Sequence, residues 1–237
     1  MIPWLSSADE FPPVDTALAD PNGLLCAGAD LTADRILQAY RRGIFPWFSP
    51  GQPVLWWSPN PRMVLFPHEI RISRSLIRVL RKDRFRVSID RCFGAVIEAC
   101  AATPRKSQTG TWITDAIVAG YGALHQRGLA HSVETWDGDT LVGGLYGVAI
   151  GKVFFGESMF AHATDASKVA FAHLVRHLER HRFGLIDCQM KTDHLSSLGA
   201  REIPRATFCA EVERLTNDNL TSTNDAAWQR GFLTIDW

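Results

Sequence analysis

The sequence predicts an α+β protein, with a small N-terminal domain over residues 1–65, a larger domain over 66–215 and a C-terminal tail over 216–237. Three observations carry this. The first 65 residues are rich in Pro, Gly and Trp and hold a single helical pattern. Beyond them helices come first, then three strand-like segments in succession, then a long helix and a further strand. Tight-turn residues separate the three strands, as in an antiparallel meander.

The elements follow from local chemistry. Thr32 is a suitable N-cap before Ile36, Leu37 and Tyr40, and Gly43 a suitable C′ residue, which sets a helix over 32–42. Residues 73–82 read as a helix, 85–89 as a strand, and 92–102 and 114–126 as helices. Strands over 131–136 and 140–149 are joined across Asp137-Gly138-Asp139, a hairpin signal, and 152–160 continues the meander after Gly151. A helix over 167–181 puts Ala170, Leu174, Val175 and Leu178 on one face, and an apolar strand over 184–189 follows. The run 216–225 is polar and turn-like.

With 237 residues, 46% hydrophobic and 21% charged, the chain is long enough to bury a core without disulfide or metal staples, and collagen, disorder and mini-protein scaffolds are excluded. No apolar run reaches the roughly 20 residues of a bilayer span, and residues 1–10 lack a basic then hydrophobic leader pattern, so a soluble, cytoplasmic protein is expected. Cys26, Cys92, Cys100, Cys188 and Cys209 are odd in number and widely spaced, which reads as reduced thiols.

Charge is balanced at 25 bases and 25 acids but unevenly placed. Residues 1–34 hold six acids and no base, whereas 71–86 hold seven bases against Asp83 alone. In the helix over 73–82, Arg74, Arg78, Arg81 and Lys82 share a face almost free of acids, as a phosphate-binding surface would be. Trp47 and Trp112 sit in loops rich in Gly, Pro, Ser and Thr, where exposed rings can stack an unpaired base; most of the other Trp and Phe residues near them are expected to pack. On the strand ending at 189, period-two alternation puts Asp187 and Gln189 on one face and Cys188 on the other. A carboxylate beside an amide suits amine chemistry, and a polar strand end satisfied by backbone is the alternative for such a pair. Glu157 closes an apolar strand, so it needs a partner, either a core polar group or the same cavity as Asp187.

These segments together resemble the leucyl/phenylalanyl-tRNA–protein transferase family. The resemblance rests on Pro21-Asn22-Gly23-Leu24-Leu25, Arg42-Gly43-Ile44-Phe45-Pro46-Trp47-Phe48, Leu55-Trp56-Trp57-Ser58-Pro59, Ile72-Ser73-Arg74-Ser75 and Gly110-Thr111-Trp112-Ile113-Thr114. It continues through Leu141-Val142-Gly143-Gly144-Leu145-Tyr146-Gly147, Gly156-Glu157-Ser158-Met159-Phe160, Leu185-Ile186-Asp187-Cys188-Gln189 and Ser197-Leu198-Gly199-Ala200. It implies a GNAT-like acyltransferase domain with a mixed, mostly antiparallel sheet flanked by helices. The implied activity moves Leu or Phe from leucyl-tRNA or phenylalanyl-tRNA to the α-amino group of acceptor proteins with N-terminal Arg or Lys, feeding N-degron protein degradation. No cofactor or metal is implied, and no membrane partner.

By the same resemblance, Asp187 and Gln189 match the positions for chemistry, Trp47 and Trp112 those that stack the terminal adenosine, and Tyr40, Tyr121 and Glu157 further residues of the site. Arg74 and its neighbours match the helix that contacts the tRNA body. Leu145, Val153, Phe154 and Phe171 are candidate walls of an apolar aminoacyl pocket, with core packing the alternative for each. An aminoacyl ester is already activated, so the task is to position it, deprotonate the amine and stabilise the oxyanion. Which of Asp187 and Glu157 acts as base is open.

Competing readings are an acetyl-CoA N-acetyltransferase and a non-catalytic RNA-binding module. The first would need an Arg/Gln-x-x-Gly-x-Gly/Ala loop, which the sequence lacks. His173, His177 and His181 lie four apart on one helical face and are expected to be solvated beside Arg176 and Arg180. Cys188 is expected to be buried packing.

Overall fold

The structure is a computed structural model that describes residues 1–82, 84–103, 111–216 and 226–237. The chain runs through β1 (Trp4–Leu5), β2 (Leu24–Gly28), α1 (Ala33–Arg41), β3 (Phe45–Pro46), β4 (Leu55–Trp57) and β5 (Arg62–Leu65). It continues with α2 (Arg74–Leu80), β6 (Phe85–Ile89), α3 (Phe93–Ala102), α4 (Asp115–Gln126), β7 (Ala130–Asp137), β8 (Thr140–Ile150) and β9 (Val153–Ala161). Then come α5 (Ala166–Arg180), β10 (Leu185–Gln189), α6 (Asp193–Ser197), β11 (Arg201–Ile203), α7 (Arg205–Thr216) and β12 (Gly231–Phe232). The expected α+β architecture is the one adopted, with helices against a mixed sheet.

The larger sheet has the order β11-β5-β10-β9-β8-β7-β6-β12. Its β9 and β10 are parallel, and a parallel pair needs a crossover, which α5 supplies. Its other neighbours are antiparallel. The hairpin between β7 and β8 closes at Gly138, whose φ of 60° is the left-handed conformation the turn requires.

Helix starts lie where the sequence places them, the first at its expected N-cap Thr32. The hydroxyls of Thr32, Ser73 and Thr114 accept from the N–H groups of Arg35, Leu76 and Ile117. In α5, Ala170, Leu174, Val175 and Leu178 are all buried, as their spacing demands.

The Trp-rich N-terminal stretch forms a second sheet, β1-β2-β4-β3, that sequence patterning does not reveal because its strands are two to five residues long. The same brevity hides β5, β11 and α6. Ile36 and Tyr40 of α1 share one buried cluster with Tyr121, Tyr146 and Phe155, so the N-terminal helix is docked on the larger sheet. That docking brings α1 to the site.

The C-terminal segment is bound rather than loose. Phe232 in β12 pairs with Ser88, and Leu233 donates its N–H to Val87 at 2.8 Å. This corrects the expected solvated histidine face. His177 and His173 are each only 8% exposed because residues 226–237 cover them. His177 Nε2 donates to the Ala227 carbonyl at 2.6 Å, and His173 Nε2 accepts from the Trp237 indole at 3.2 Å. The acid of the basic run, Asp83, Gly110 of the Trp112 motif and the polar run 217–225 lie outside the described residues.

Candidate active site

The site begins with Arg62 at the start of β5, a base heading the apolar run Met63, Val64 and Leu65. Its guanidinium is fully buried, between the rings of Phe45 and Phe208 at 4.7 and 4.6 Å. A charge there requires a partner. On the neighbouring β10 Asp187, also fully buried, receives Nε at 2.8 Å and Nη2 at 2.7 Å in a two-pronged pair. The remaining prong, Nη1, donates to the Gly43 carbonyl at 3.2 Å.

Just beyond Asp187 the pairing of β10 with β5 slips, and Gln189 takes a φ of 60°. The Gln189 N–H turns back onto Asp187 Oδ1 at 2.9 Å. Asp187 and Gln189 bond to Arg62 and Glu157, while Cys188 packs with the cluster of Ile186, Phe154 and Phe171, as alternation expects; all three residues border one cavity. The Cys188 thiol is pushed up by burial and then by the charge of Asp187, which suits it to packing and not to nucleophilic work.

Gln189 Nε2 donates to Glu157 Oε1 at 2.8 Å. Glu157 also receives the Tyr121 hydroxyl at 2.8 Å and the Tyr40 hydroxyl, and the two phenols are 2.5 Å apart. Burial is the chief reason the Glu157 carboxyl is held up to about 8; the tyrosine hydrogen bonds act in the opposite direction. Both phenols are held well above their usual value, by burial and then by the charge of Glu157. The cluster thus joins α1, α4, β9 and β10, four elements distant in sequence.

The cavity has a volume of about 390 Å³. Leu145, Phe154 and Phe171, three of the four expected walls, line it together with Leu174 and Ile186; Val153 is buried but is not among the lining residues. Trp47 and Trp112 line the same cavity as Glu157 and Gln189. Their expected exposure is corrected for Trp112, only 6% exposed, and reduced for Trp47, half-buried beside Trp57 at a ring separation of 5.4 Å. The Trp47 carbonyl accepts from the Trp57 indole at 2.7 Å, which fixes the loop.

Sequence reasoning missed Arg62, His194 and Thr192, the last two lining the cavity from the start of α6 and just before it. A base opening an apolar strand was the available signal for Arg62. Nothing local marks the other two.

Away from the cavity, Arg74, Arg78, Arg81 and Lys82 are all exposed, as the helical spacing predicts. Part of the surrounding positive charge is neutralised by residues far along the chain: Arg84 pairs with Asp137 at 2.6 Å and Arg86 with Asp139 at 3.1 Å. Arg81 donates to the Trp237 carbonyl at 3.0 Å. Among the described residues no group of three or more His, Cys, Asp or Glu is gathered as a metal would need, and no helix is long and apolar enough to cross a membrane.

A parallel pair in a mostly antiparallel sheet, a largely apolar cavity beside it and a carboxyl–amide–phenol cluster at its wall form a site suited to acyl transfer. A family model described as leucyl/phenylalanyl-tRNA protein transferase matches residues 64–213, and that of the family's N-terminal domain matches 29–60. The leucyl/phenylalanyl-tRNA–protein transferase of Nitrosospira multiformis is 60% identical over 217 residues, covering 92% of this chain and 93% of that protein. Its counterpart from Pseudomonas fluorescens is 58% identical over 229 residues, covering 96% and 99%. The chain belongs to the leucyl/phenylalanyl-tRNA–protein transferase family, and it is an aminoacyltransferase. Among solved structures it is similar to L-PGS from Bacillus licheniformis, with a TM-score of 0.39 and 10% identity over 90% of this chain and 67% of that one. A GCN5-related N-acetyltransferase-like protein from Streptococcus suis gives a TM-score of 0.35 and 13% identity over 72% and 64%.

Proposed function

We propose that the protein takes Leu or Phe from leucyl-tRNA or phenylalanyl-tRNA and joins it to the α-amino group of acceptor proteins with N-terminal Arg or Lys, feeding N-degron degradation in the cytoplasm. The single observation that carries this is the meeting of Trp47, Trp112, Glu157 and Gln189 on one cavity whose other walls are mostly apolar. In this reading the aminoacyl side chain fills the space among Leu145, Phe154 and Phe171, and Trp47 and Trp112 stack the terminal adenine. Residues 1–65 contribute Tyr40, Phe45, Trp47 and Arg62, and residues 66–215 the other side chains of the cavity and its cluster.

The acceptor amine attacks the ester carbonyl carbon, the carbon–nitrogen bond forms, and the ribose 3′ oxygen leaves with the proton that nitrogen gives up. Gln189 is the group that touches the reacting atoms, holding the carbonyl or relaying the amine proton. Asp187 has both oxygens taken by Arg62 and the Gln189 N–H, so it acts through Gln189 as a positioning residue. Glu157 aims the Gln189 amide and offers a carboxyl to the cationic side chain of the acceptor.

The test is transfer of labelled leucine from leucyl-tRNA to a peptide beginning with Arg, against the same peptide beginning with Gly. Transfer to both alike would remove the acceptor assignment, and transfer to neither would remove the activity. The basic helix has its own test. Replacing Arg74 and Arg78 by Ala is expected to weaken leucyl-tRNA binding and reduce the salt slope by about two, roughly one per lost phosphate contact. Transfer from a minimal leucyl-adenosine donor should be unaffected; an unchanged slope with tRNA would return that face to plain solvation.

A further inference from the structure

The segment 226–237 lies beyond residue 213, where the family match ends, yet it packs on the cluster that walls the cavity. Leu145, Phe154, Phe171 and Ile186 belong to that cluster, and Trp228, Leu233 and Trp237 lie against it. Trp228 meets one of these walls directly: its ring is 5.8 Å from that of Phe154 at an interplanar angle of 26°, an offset stack. Phe154 itself is 1% exposed, and a Cβ added to Gly147 would come within 2.6 Å of its ring. Thus the Phe154 ring abuts both bare backbone of β8 and the Trp228 indole.

The indole is itself held. His131 stacks on it at 3.9 Å and 6°, and the His131 ring is fixed by Asp90 at 2.7 Å. Phe183 meets it edge-on at 6.1 Å. The bond from His177 to the Ala227 carbonyl and the pairing of β12 with β6 anchor the chain on either side.

We propose that Trp228 sets the depth of the aminoacyl pocket, as a specificity-determining residue that positions Phe154 from behind. The inference rests on the reading of this cavity as the aminoacyl pocket. Removing the indole leaves a void behind Phe154, into which its ring can withdraw, so the pocket deepens and a larger side chain gains over a smaller one. A change that only loosened the fold would lower transfer of every substrate alike, whereas a positioning role moves their ratio.

The experiment measures kcat/KM for phenylalanyl-tRNA and leucyl-tRNA with one Arg-initiated peptide, in the wild-type protein, W228A and W228F. W228A is expected to raise the Phe-to-Leu ratio about tenfold, and W228F, which restores an aromatic filler, to bring it back within about threefold of wild type. An unmoved ratio in an active W228A overturns the proposal and leaves the activity reading intact. A wild-type protein inactive with both tRNAs overturns the activity reading and this inference with it. If W228A does not fold, W228L is judged by the same criterion: a ratio shifted toward Phe supports the proposal, and an unmoved one overturns it.

Discussion

Asp187→Ala is expected to abolish transfer and, because it leaves the Arg62 guanidinium buried without its counter-ion, to destabilise the protein by about 3–5 kcal/mol. Both side chains have no solvent exposure. The loss of transfer has a separate origin. Asp187 Oδ1 holds the Gln189 N–H at 2.9 Å, and that bond maintains the left-handed turn that presents the Gln189 amide to Glu157. The double variant R62M/D187L separates the two effects. Replacing the whole buried pair by apolar groups of similar volume is often close to neutral for stability, so denaturant titration should find most of the loss restored. Single-turnover transfer should stay at background. Recovery of transfer together with stability would reduce the pair to a structural brace and remove Asp187 from the chemistry.

The second large effect is a pH dependence of folding that runs opposite to ordinary acid denaturation. Glu157 has a folded value of about 8 against 4.5 for the free group, so between those values the folded state holds a proton that the unfolded chain has lost. Stability from this group is therefore fully present below pH 4.5 and lost as pH rises to about 8, at a slope of at most about 1.4 kcal/mol per pH unit. His173, lowered by burial to about 4, contributes in the reverse sense: its stability is present above 6.5 and is lost as pH falls through 4. The difference between wild type and E157Q isolates the glutamate, since the amide cannot ionise. Denaturant titrations from pH 5 to 9 should give a difference that slopes across that range, about one proton at its steepest. A flat difference would mean that Glu157 is ionised throughout. Because the Tyr40 hydrogen bond lowers the Glu157 value, Tyr40→Phe should carry the upper end of the window to higher pH.

Much of this molecule was legible in its sequence because it depends on local periodicity and capping. Helix starts at Thr32, Ser73 and Thr114 follow from side chains that satisfy the first free N–H groups, and the meander from β-branched runs broken at Gly138 and Gly151. The cationic face of α2 is likewise a matter of three- and four-residue spacing, and it stands exposed as that spacing implies. Gln189 and Glu157 were visible as polar groups closing apolar strands, each in need of a partner.

What the sequence by itself determined, then, is the class of fold, the order of its elements and most of the residues that meet at the cavity. Only the tertiary structure decided how they meet. The slip after Asp187 and the left-handed turn that sets the Gln189 amide against Glu157 arise because a ladder register depends on the partner strand β5 and not on the local sequence. The burial of Arg62 against Asp187, 125 positions away, and of the histidines of α5 under residues 226–237 depends on which surfaces the chain brings together. Burial and ion pairing are properties of surroundings assembled from distant segments, so no local pattern encodes them.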